Sequence, residues 1–204
     1  MNIRKISVLI LGIALILGNS CTEKENSLSL KQKDQINKIG SEAASSLLKN
    51  LKGHLRETLA SGNTAEAFEF CAASDLDLTK EAAENLPEGL EIKRTTMRPR
   101  NPENAPDKYE NDALAYFEAQ IIKTDTPPES YIQYVKEKSE YRYYQPIAIN
   151  EICLRCHGDP DDFEEDIRQS LSEYYPQDPA VGYKIGDFRG IIRVSIPIEI
   201  IKPR

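Results

Sequence analysis

The sequence predicts an α+β domain, in which an antiparallel sheet is interrupted by helices and preceded by a long N-terminal helix. Three observations predict this class. Apolar residues recur at helical spacing over residues 29–61, apolar and polar residues alternate near the C-terminus, and a loop rich in Pro and Asn at 98–110 separates these regions. A chain of 204 residues is long enough for one domain with a hydrophobic core and short for two such domains.

The first twenty residues have the pattern of an export signal. A basic start with Arg4 and Lys5 leads into an apolar run that ends at Leu17. This run is too short to span a bilayer comfortably, and small and polar residues follow it. We therefore predict that residues 1–20 are a signal peptide and take no part in the fold.

A cysteine follows this segment directly, as it does in bacterial lipoprotein signals. Gly18 stands where such signals usually carry leucine, so an ordinary signal peptide with a chance cysteine is the alternative. We expect lipidation of Cys21, which would hold the exported protein to a membrane surface facing the periplasm or the cell exterior. A polar tether over 21–28 and a single domain over 29–204 complete the predicted organisation.

Three helices are predicted in the first half of the chain. The first runs from about Ser29 to Ser61, and Gly62 is suited to cap its C-terminus. Shorter helices are expected near 64–74 and 78–86, where Pro87 ends the second of them. The apolar stripe of the first helix comprises Ile36, Ile39, Ala43, Leu47, Leu51 and Leu55.

A strand, a loop and a helix follow. Residues 89–97 alternate as in a strand, and the segment 98–110 is loop-like because it is rich in Pro and Asn. A helix is predicted from Asp107 to Ile122, where the apolar positions include Leu114 and Phe117.

The C-terminal half is predicted to supply most of the sheet. Residues 130–149 give two strands around a charged turn, and 161–175 give an acidic amphipathic helix. In the last strand, one face is predicted to carry Ile192, Val194, Ile196 and Ile198, and the other Arg193 and Ser195.

Composition excludes several function classes. The net charge is −7 and no basic patch is present, so we expect no nucleic-acid binding. No Ser-His-Asp set, Gly-rich phosphate loop or pair of carboxylates stands out, which argues against a hydrolase or a nucleotide enzyme. We therefore expect a protein that is not an enzyme.

Two cysteines and a histidine lie within five positions of the stretch "ICLRCHG". Cys153, Cys156 and His157 have the spacing C-x-x-C-H, which in an exported bacterial protein is typical of c-type haem attachment. Thiols three residues apart lie on one side of a short helical turn, where each can add to one haem vinyl group. The histidine is then carried under the porphyrin, where its imidazole can bind iron. The motif predicts one covalent haem c.

Two other interpretations of this motif are weaker. A thiol–disulfide redox pair usually starts a helix after a strand in a thioredoxin-like pattern, which is not found around these cysteines. A structural zinc site needs a second pair of ligands, and the sequence has no second C-x-x-C and no H-x-x-x-H.

Four stretches in order resemble a known family, and they extend over most of the chain. The chain is similar to the bacterial family of haem-binding, PAS-like single domains, which occur alone or in front of histidine-kinase and chemoreceptor modules. The stretches are "LRETLASGNTAEAFEFC" (55–71), "KRTTMRPRNPENAPDKYE" (93–110), "ICLRCHG" (152–158) and "GYKIGDFRGIIRVSIPI" (182–198). The resemblance implies a PAS-like fold with one haem c. It also implies axial iron ligation by His157 and by the thiolate of Cys71.

From the residues alone, the iron ligand opposite His157 stays open. A lone cysteine such as Cys71 is commonly a small buried hydrophobe. His54 is the rival ligand, because it follows Leu51 by three residues and so lies on the apolar face of the first helix, and a second imidazole is an ordinary haem ligand. Met97 ranks third as a thioether ligand. Arg98 and Arg100 are candidates for pairing with haem propionates.

Three function classes remain for such a protein. We expect a sensory module for redox state or a small gas, because an iron with a thiolate ligand that is lost on reduction suits a sensor. A mono-haem electron-transfer cytochrome of the cell envelope is the alternative, and a peroxidase is a third class. An unknown protein partner would receive the signal or the electron.

Overall fold

A computed structural model describes residues 28–62, 66–67 and 87–201. The predicted signal peptide, Cys21 and nearly all of the tether lie outside the described residues. Cys71 lies outside them as well, as do the two short helices predicted over 64–74 and 78–86, apart from two helical residues, 66 and 67.

The described residues form an α+β structure with a long N-terminal helix, which confirms the predicted class at this level. The helices are α1 (Leu30–Ala60), α2 (Lys108–Thr124), α3 (Glu151–His157) and α4 (Glu165–Tyr174). The strands are β1 (Glu91–Thr95), β2 (Tyr131–Val135), β3 (Glu140–Ala148) and β4 (Phe188–Pro197). They form one antiparallel sheet in the order β1-β4-β3-β2. None of the helices in this part of the chain is long and apolar enough to cross a membrane.

Helix α1 begins and ends at residues that satisfy its free backbone groups. At its start, the Ser29 hydroxyl accepts a hydrogen bond from the Gln32 backbone N–H, and the Gln32 side chain accepts one from the Ser29 backbone N–H. At its end, Gly62 has a φ of +79°, a left-handed conformation that glycine adopts without steric cost. The predicted bounds of this helix are confirmed.

Helix α1 covers one face of the sheet. Its buried residues pack against alternate residues of β4, namely Ile192, Val194 and Ile196, as the sequence predicted for these three positions. Gly40 lies at the closest approach, where a Cβ atom would be 2.1 Å from Cγ of Tyr143. The absence of a side chain at this position therefore lets the helix lie directly on the strand.

Helix α2 covers the other face. Asp107 caps it, because the carboxylate accepts a hydrogen bond of 2.8 Å from the Glu110 backbone N–H. Leu114 and Phe117 are buried against Tyr144 and Ile191. The helix ends at Thr124, two residues beyond the predicted end, and Asp125 follows in a left-handed conformation.

Charged side chains are buried between α2 and the sheet. Arg142 is fully buried and forms ion pairs with Asp107 at 2.7 Å and Glu140 at 2.6 Å. Arg193 forms one with Glu110 at 3.3 Å, and Glu110 is itself fully buried. Each arginine on this face is therefore held by carboxylates.

The predictions differ from the structure at two further element ends. The acidic helix begins at Glu165 rather than at 161, because Pro160–Asp162 form a 3₁₀ turn and Phe163 is buried against α4. Ile198 lies in a 3₁₀ turn rather than in β4, since its N–H donates to the Ser139 carbonyl, where the chain leaves the strand.

Candidate functional site

The C-x-x-C-H motif forms helix α3, which connects β3 to the turn before α4. The side chains of Cys153, Cys156 and His157 all face one cavity. Both cysteines are free thiols, and the Cys153 thiol donates to the side-chain oxygen of Asn150 at 3.1 Å. The spacing therefore brings the three side chains together as the sequence predicted for a short helical turn.

The loop before β4 holds α3 at both ends. The Tyr183 N–H donates to the His157 carbonyl at 2.9 Å, and the Gly186 N–H donates to the Ile149 carbonyl at 2.9 Å. Gly158 ends the helix, and a Cβ atom there would be 2.6 Å from the Leu154 carbonyl oxygen. The backbone around the motif is thus fixed by contacts distant in sequence.

The cavity lies between α1, α3 and the end of the sheet. The empty space between these elements is about 990 Å³ and includes the open solvent at its mouth. Much of its wall is apolar, and this part comprises Leu48, Leu51, Leu55, Ile147, Ala148, Ile149 and Ile152. A pocket of this kind suits a large apolar ligand that is oriented by a few polar groups.

Gly190 allows two strands to meet at the cavity floor. It has a φ of +153°, and a Cβ atom there would be 2.4 Å from the Thr95 carbonyl oxygen. A larger residue would therefore push β1 and β4 apart at this end of the sheet.

Three arginines give the cavity a positive potential. The cavity is lined by Arg94, Arg100 and Arg189. The described residues of its lining include no Asp or Glu. Burial lowers the pKa of Arg189, and the neighbouring Arg100 lowers it further. In an acidic protein, this lining favours an anionic group at the cavity.

His157 is held in the tautomer that an iron ligand requires. Its Nδ1 lies 2.6 Å from the Ala180 carbonyl oxygen, which only accepts, so Nδ1 carries the proton and Nε2 has a free lone pair. Burial lowers the pKa of His157 well below its usual range, and Arg100 and Arg189 add to this, while the bond to Ala180 opposes it. The imidazole is therefore neutral at pH 7.

Burial also raises the pKa of the Cys156 thiol, although Arg100 and Arg155 oppose the change. Cys156 is therefore a protonated thiol at neutral pH. In the part of the chain that the structure describes, no group of three or more His, Cys, Asp or Glu residues is arranged to hold a metal ion.

Comparison with known proteins identifies the family. A family model described as Tll0287-like matches residues 22–197. The chain belongs to this family. It is similar to the crystal structure of the cyanobacterial haem protein Tll0287, with 21% sequence identity and a TM-score of 0.53, over 86% of this chain and 100% of that one. At this identity the likeness shows the fold alone, and no curated protein matches the sequence.

Other residues predicted for the site lie in different places in this Tll0287-like chain. His54 is half-buried in α1 but does not line the cavity, because it is turned about 100° around the helix from Leu55, which does. Met97 is exposed and lies outside the lining. The position of Cys71 is outside the described residues, so its role as a ligand stays a prediction.

The two arginines predicted to meet propionates differ from each other. Arg100 lines the cavity and forms an ion pair with Asp178 at 2.8 Å. Arg98 does not line it and instead donates to two backbone carbonyls, those of Pro179 and Val181. Of the two candidates, only Arg100 therefore lines the cavity.

Sequence analysis missed several residues of the site of this Tll0287-like protein. Arg94 and Arg189 lie within the stretches that carried the family resemblance, but nothing marked them as cavity residues. Ala180 acts through its backbone carbonyl, which has no signature in the sequence. Asn150 lies three residues before Cys153, and this short spacing was the one available signal.

Proposed function

We propose that this Tll0287-like chain is a c-type haem protein of the cell envelope, with one haem attached through Cys153 and Cys156 and its iron bound by His157. One observation carries this proposal: helix α3 presents both thiols and the free Nε2 of His157 to the same apolar, cationic cavity. The similar structure is that of a haem protein, which supports the proposal.

The residues at the cavity fit this group. Haem is a large apolar ring with two carboxylates, and the cavity combines aliphatic walls with the guanidinium groups of Arg94, Arg100 and Arg189. Because Arg100 also donates to the Cys156 carbonyl, it ties the charged wall to the attachment helix. The arginines are the groups expected to pair with the propionates.

Bound haem would supply one-electron chemistry and a coordination site for small ligands. The chain's own residues would hold and orient it: the sulfur atoms of Cys153 and Cys156 would prevent its loss, and Nε2 of His157 would bind its iron. The leucines of α1 exclude water from the apolar part of the cavity.

We further propose a PAS-like sensory domain for redox state or a small gas, with Cys71 as the second axial ligand. A thiolate favours the ferric state and is more easily protonated and lost on reduction, which opens a site for CO or NO. We place the protein outside the cytoplasm, anchored through a lipid on Cys21, where it signals to a partner protein. A catalytic activity is not part of the proposal.

Production of the full chain in a host with a haem c maturation system tests the attachment. Mass spectrometry should show one added tetrapyrrole on the mature protein, and the Cys153→Ser and Cys156→Ser double variant should lack it. Met97→Leu is the matched control, because Met97 is exposed and away from the cavity, and it should retain the group. An unmodified mature chain in such a host would end the proposal.

Spectra of the ferric and ferrous protein test the second ligand and the sensory role. Cys71→Ala should remove the thiolate signature from the ferric spectrum, whereas His54→Ala should leave it unchanged. Reduced protein should bind CO or NO. A reduced iron that stays six-coordinate and inert to both gases favours the electron-transfer cytochrome instead.

A further inference from the structure

One short segment accepts the hydrogen bond that His157 donates from Nδ1. The Ala180 carbonyl lies 2.6 Å from Nδ1, and the chain on either side of it is held in place by side chains from another part of the sequence. We call residues Asp178–Val181 the histidine strap. Its position decides how closely the carbonyl approaches the imidazole.

Arg98 fastens the strap from outside. Its Nε donates to the Pro179 carbonyl at 2.6 Å, and its Nη2 donates to the Val181 carbonyl, so the guanidinium bridges the two residues that flank Ala180. Its guanidinium carbon also lies 4.2 Å from the centroid of the Tyr183 ring. Both hydrogen bonds and the ring contact orient the same segment.

A second arginine fixes the start of the strap. One Asp178 carboxylate oxygen accepts from the Ala180 N–H at 2.9 Å, and the other accepts from Arg100 Nε at 2.9 Å. Because Arg100 lines the cavity and Arg98 does not, Arg98 can be changed without altering the cavity wall.

We propose that Arg98 is a positioning residue that sets the strength of the His157–Ala180 hydrogen bond and thereby the ferric preference of the bound iron. This inference rests on the proposed function. A hydrogen bond from Nδ1 to a carbonyl makes the imidazole a more basic ligand, which stabilises the higher charge of ferric iron. Loosening the strap weakens this effect and favours the ferrous state.

The sign of the change in reduction potential distinguishes this positioning role from the effect of the Arg98 charge alone. A cation near iron disfavours the more positively charged ferric state. Removing the cation therefore favours the ferric state and lowers the reduction potential. Loosening the strap raises the potential. Arg98→Ala does both, and we expect the strap to dominate because Arg98 is an exposed residue, whose charge is screened by solvent.

The test is the midpoint potential of the haem-loaded full chain carrying Arg98→Ala. The ratio of oxidised to reduced protein at a fixed potential should fall roughly tenfold, at the low end of effects from groups behind a metal ligand. Arg98→Lys keeps the charge but cannot bridge two carbonyls in the same way, so it should show a smaller fall. It also provides a milder variant if Arg98→Ala folds poorly.

Arg155→Ala is the matched control. Arg155 lies on α3 beside Cys156 and pairs with Glu164 on the surface, so its loss removes a nearby charge and leaves the strap intact. The potential of this variant should stay unchanged or fall. A second readout is the His157 Nδ1 proton resonance of the reduced protein under CO, which should move upfield in Arg98→Ala and not in Arg155→Ala.

Three results distinguish a failure of the proposed function, a failure of this inference, and support for both. An unsubstituted chain without covalent haem overturns the proposed function. Covalent haem with an unchanged or lowered potential and an unmoved proton resonance in both Arg98 variants overturns this inference alone. A raised potential together with an upfield shift in the Arg98 variants, and neither in the control, supports it.

Discussion

Arginines lie both under α2 and around the cavity, but not all of them are held by the same kind of group. Under α2, Arg142 and Arg193 pair with carboxylates, including Asp107 and Glu110. At the cavity, Arg100 also pairs with a carboxylate, that of Asp178, whereas Arg189 donates to the Thr96 hydroxyl and the Arg98 carbonyl. The arginines under α2 are therefore halves of ion pairs, whereas Arg189 at the cavity is held by neutral oxygen atoms.

This difference decides where the fold keeps an electrostatic potential. A carboxylate cancels the charge of the arginine beside it, whereas a neutral carbonyl or hydroxyl satisfies its hydrogen bonds and leaves the charge in place. The potential at the cavity is felt by His157, whose pKa is lowered first by burial and then by Arg100 and Arg189. The α2 region is thus built for stability, and the cavity is built to receive an anionic group.

The strongest test of this comparison is Arg142→Met. It leaves the carboxylates of Glu140 and Asp107 without their buried partner, so we expect a loss of about 3 kcal/mol in the free energy of unfolding. Urea denaturation measures it, and haem content should not change. Arg155→Met, in an exposed ion pair, should cost less than about 1 kcal/mol. A similar loss in both variants would contradict the distinction between the regions.

Two glycines of α1 sharpen the comparison between its closed and open ends. Gly40 lies against Tyr143 where the helix meets the sheet. Gly53 lies close in sequence to the leucines that line the cavity, and a Cβ atom added there would have no neighbouring atom within 4 Å. Gly40→Ala should destabilise by about 1–3 kcal/mol through overpacking. Gly53→Ala should stabilise by up to about 1 kcal/mol through helix propensity.

Thermal or urea unfolding of the two alanine variants measures this pair. Since both changes add one methyl group to the same helix, a difference in sign isolates the contact with the sheet. Equal shifts in the same direction would show that α1 does not lie on Tyr143 as described.

At the cavity, the expected effect is on iron rather than on folding. Arg189→Gln removes one charge from the lining, so the ferric state should be favoured by an amount on the order of 1 kcal/mol. Potentiometry of the haem-loaded protein should show a lower midpoint potential, opposite in sign to Arg98→Ala. A raised potential would show that Arg189 acts mainly by holding the Arg98 carbonyl.

Local sequence patterns predicted most of the fold because they reflect local physics. The apolar spacing of α1 and the alternation in β4 both act within a few residues. The later start of α4 was missed, since it depends on the burial of Phe163 in tertiary structure.

The candidate site divides in the same way. The motif residues lie within one helical turn, so their shared orientation followed from spacing alone. The carbonyl of Ala180 is 23 residues from His157, and Arg98 reaches the strap across 81 and 83 residues. The positions of such backbone acceptors depend on the tertiary structure, and no pattern of side chains in the sequence predicts them.

The smallest expected effect concerns the acid stability of the α2 region. Burial alone would raise the pKa of Asp107, but the bond from the Glu110 backbone N–H and the pairing with Arg142 outweigh it and hold this pKa below its usual value. A carboxyl with a depressed folded pKa stabilises the protein above its unfolded pKa of about 4, and this contribution is lost as pH falls through the folded value.

Asp107→Asn tests this contribution, because asparagine still caps a helix but cannot ionise. At pH 7 the variant should be less stable by under about 1 kcal/mol, since the Asp107 side chain is 35% exposed and its pairing is screened by solvent. Urea unfolding between pH 7 and pH 3 should show the two proteins converging in acid. A gap that stays constant over this range would mean that the ionisation of Asp107 does not contribute to stability.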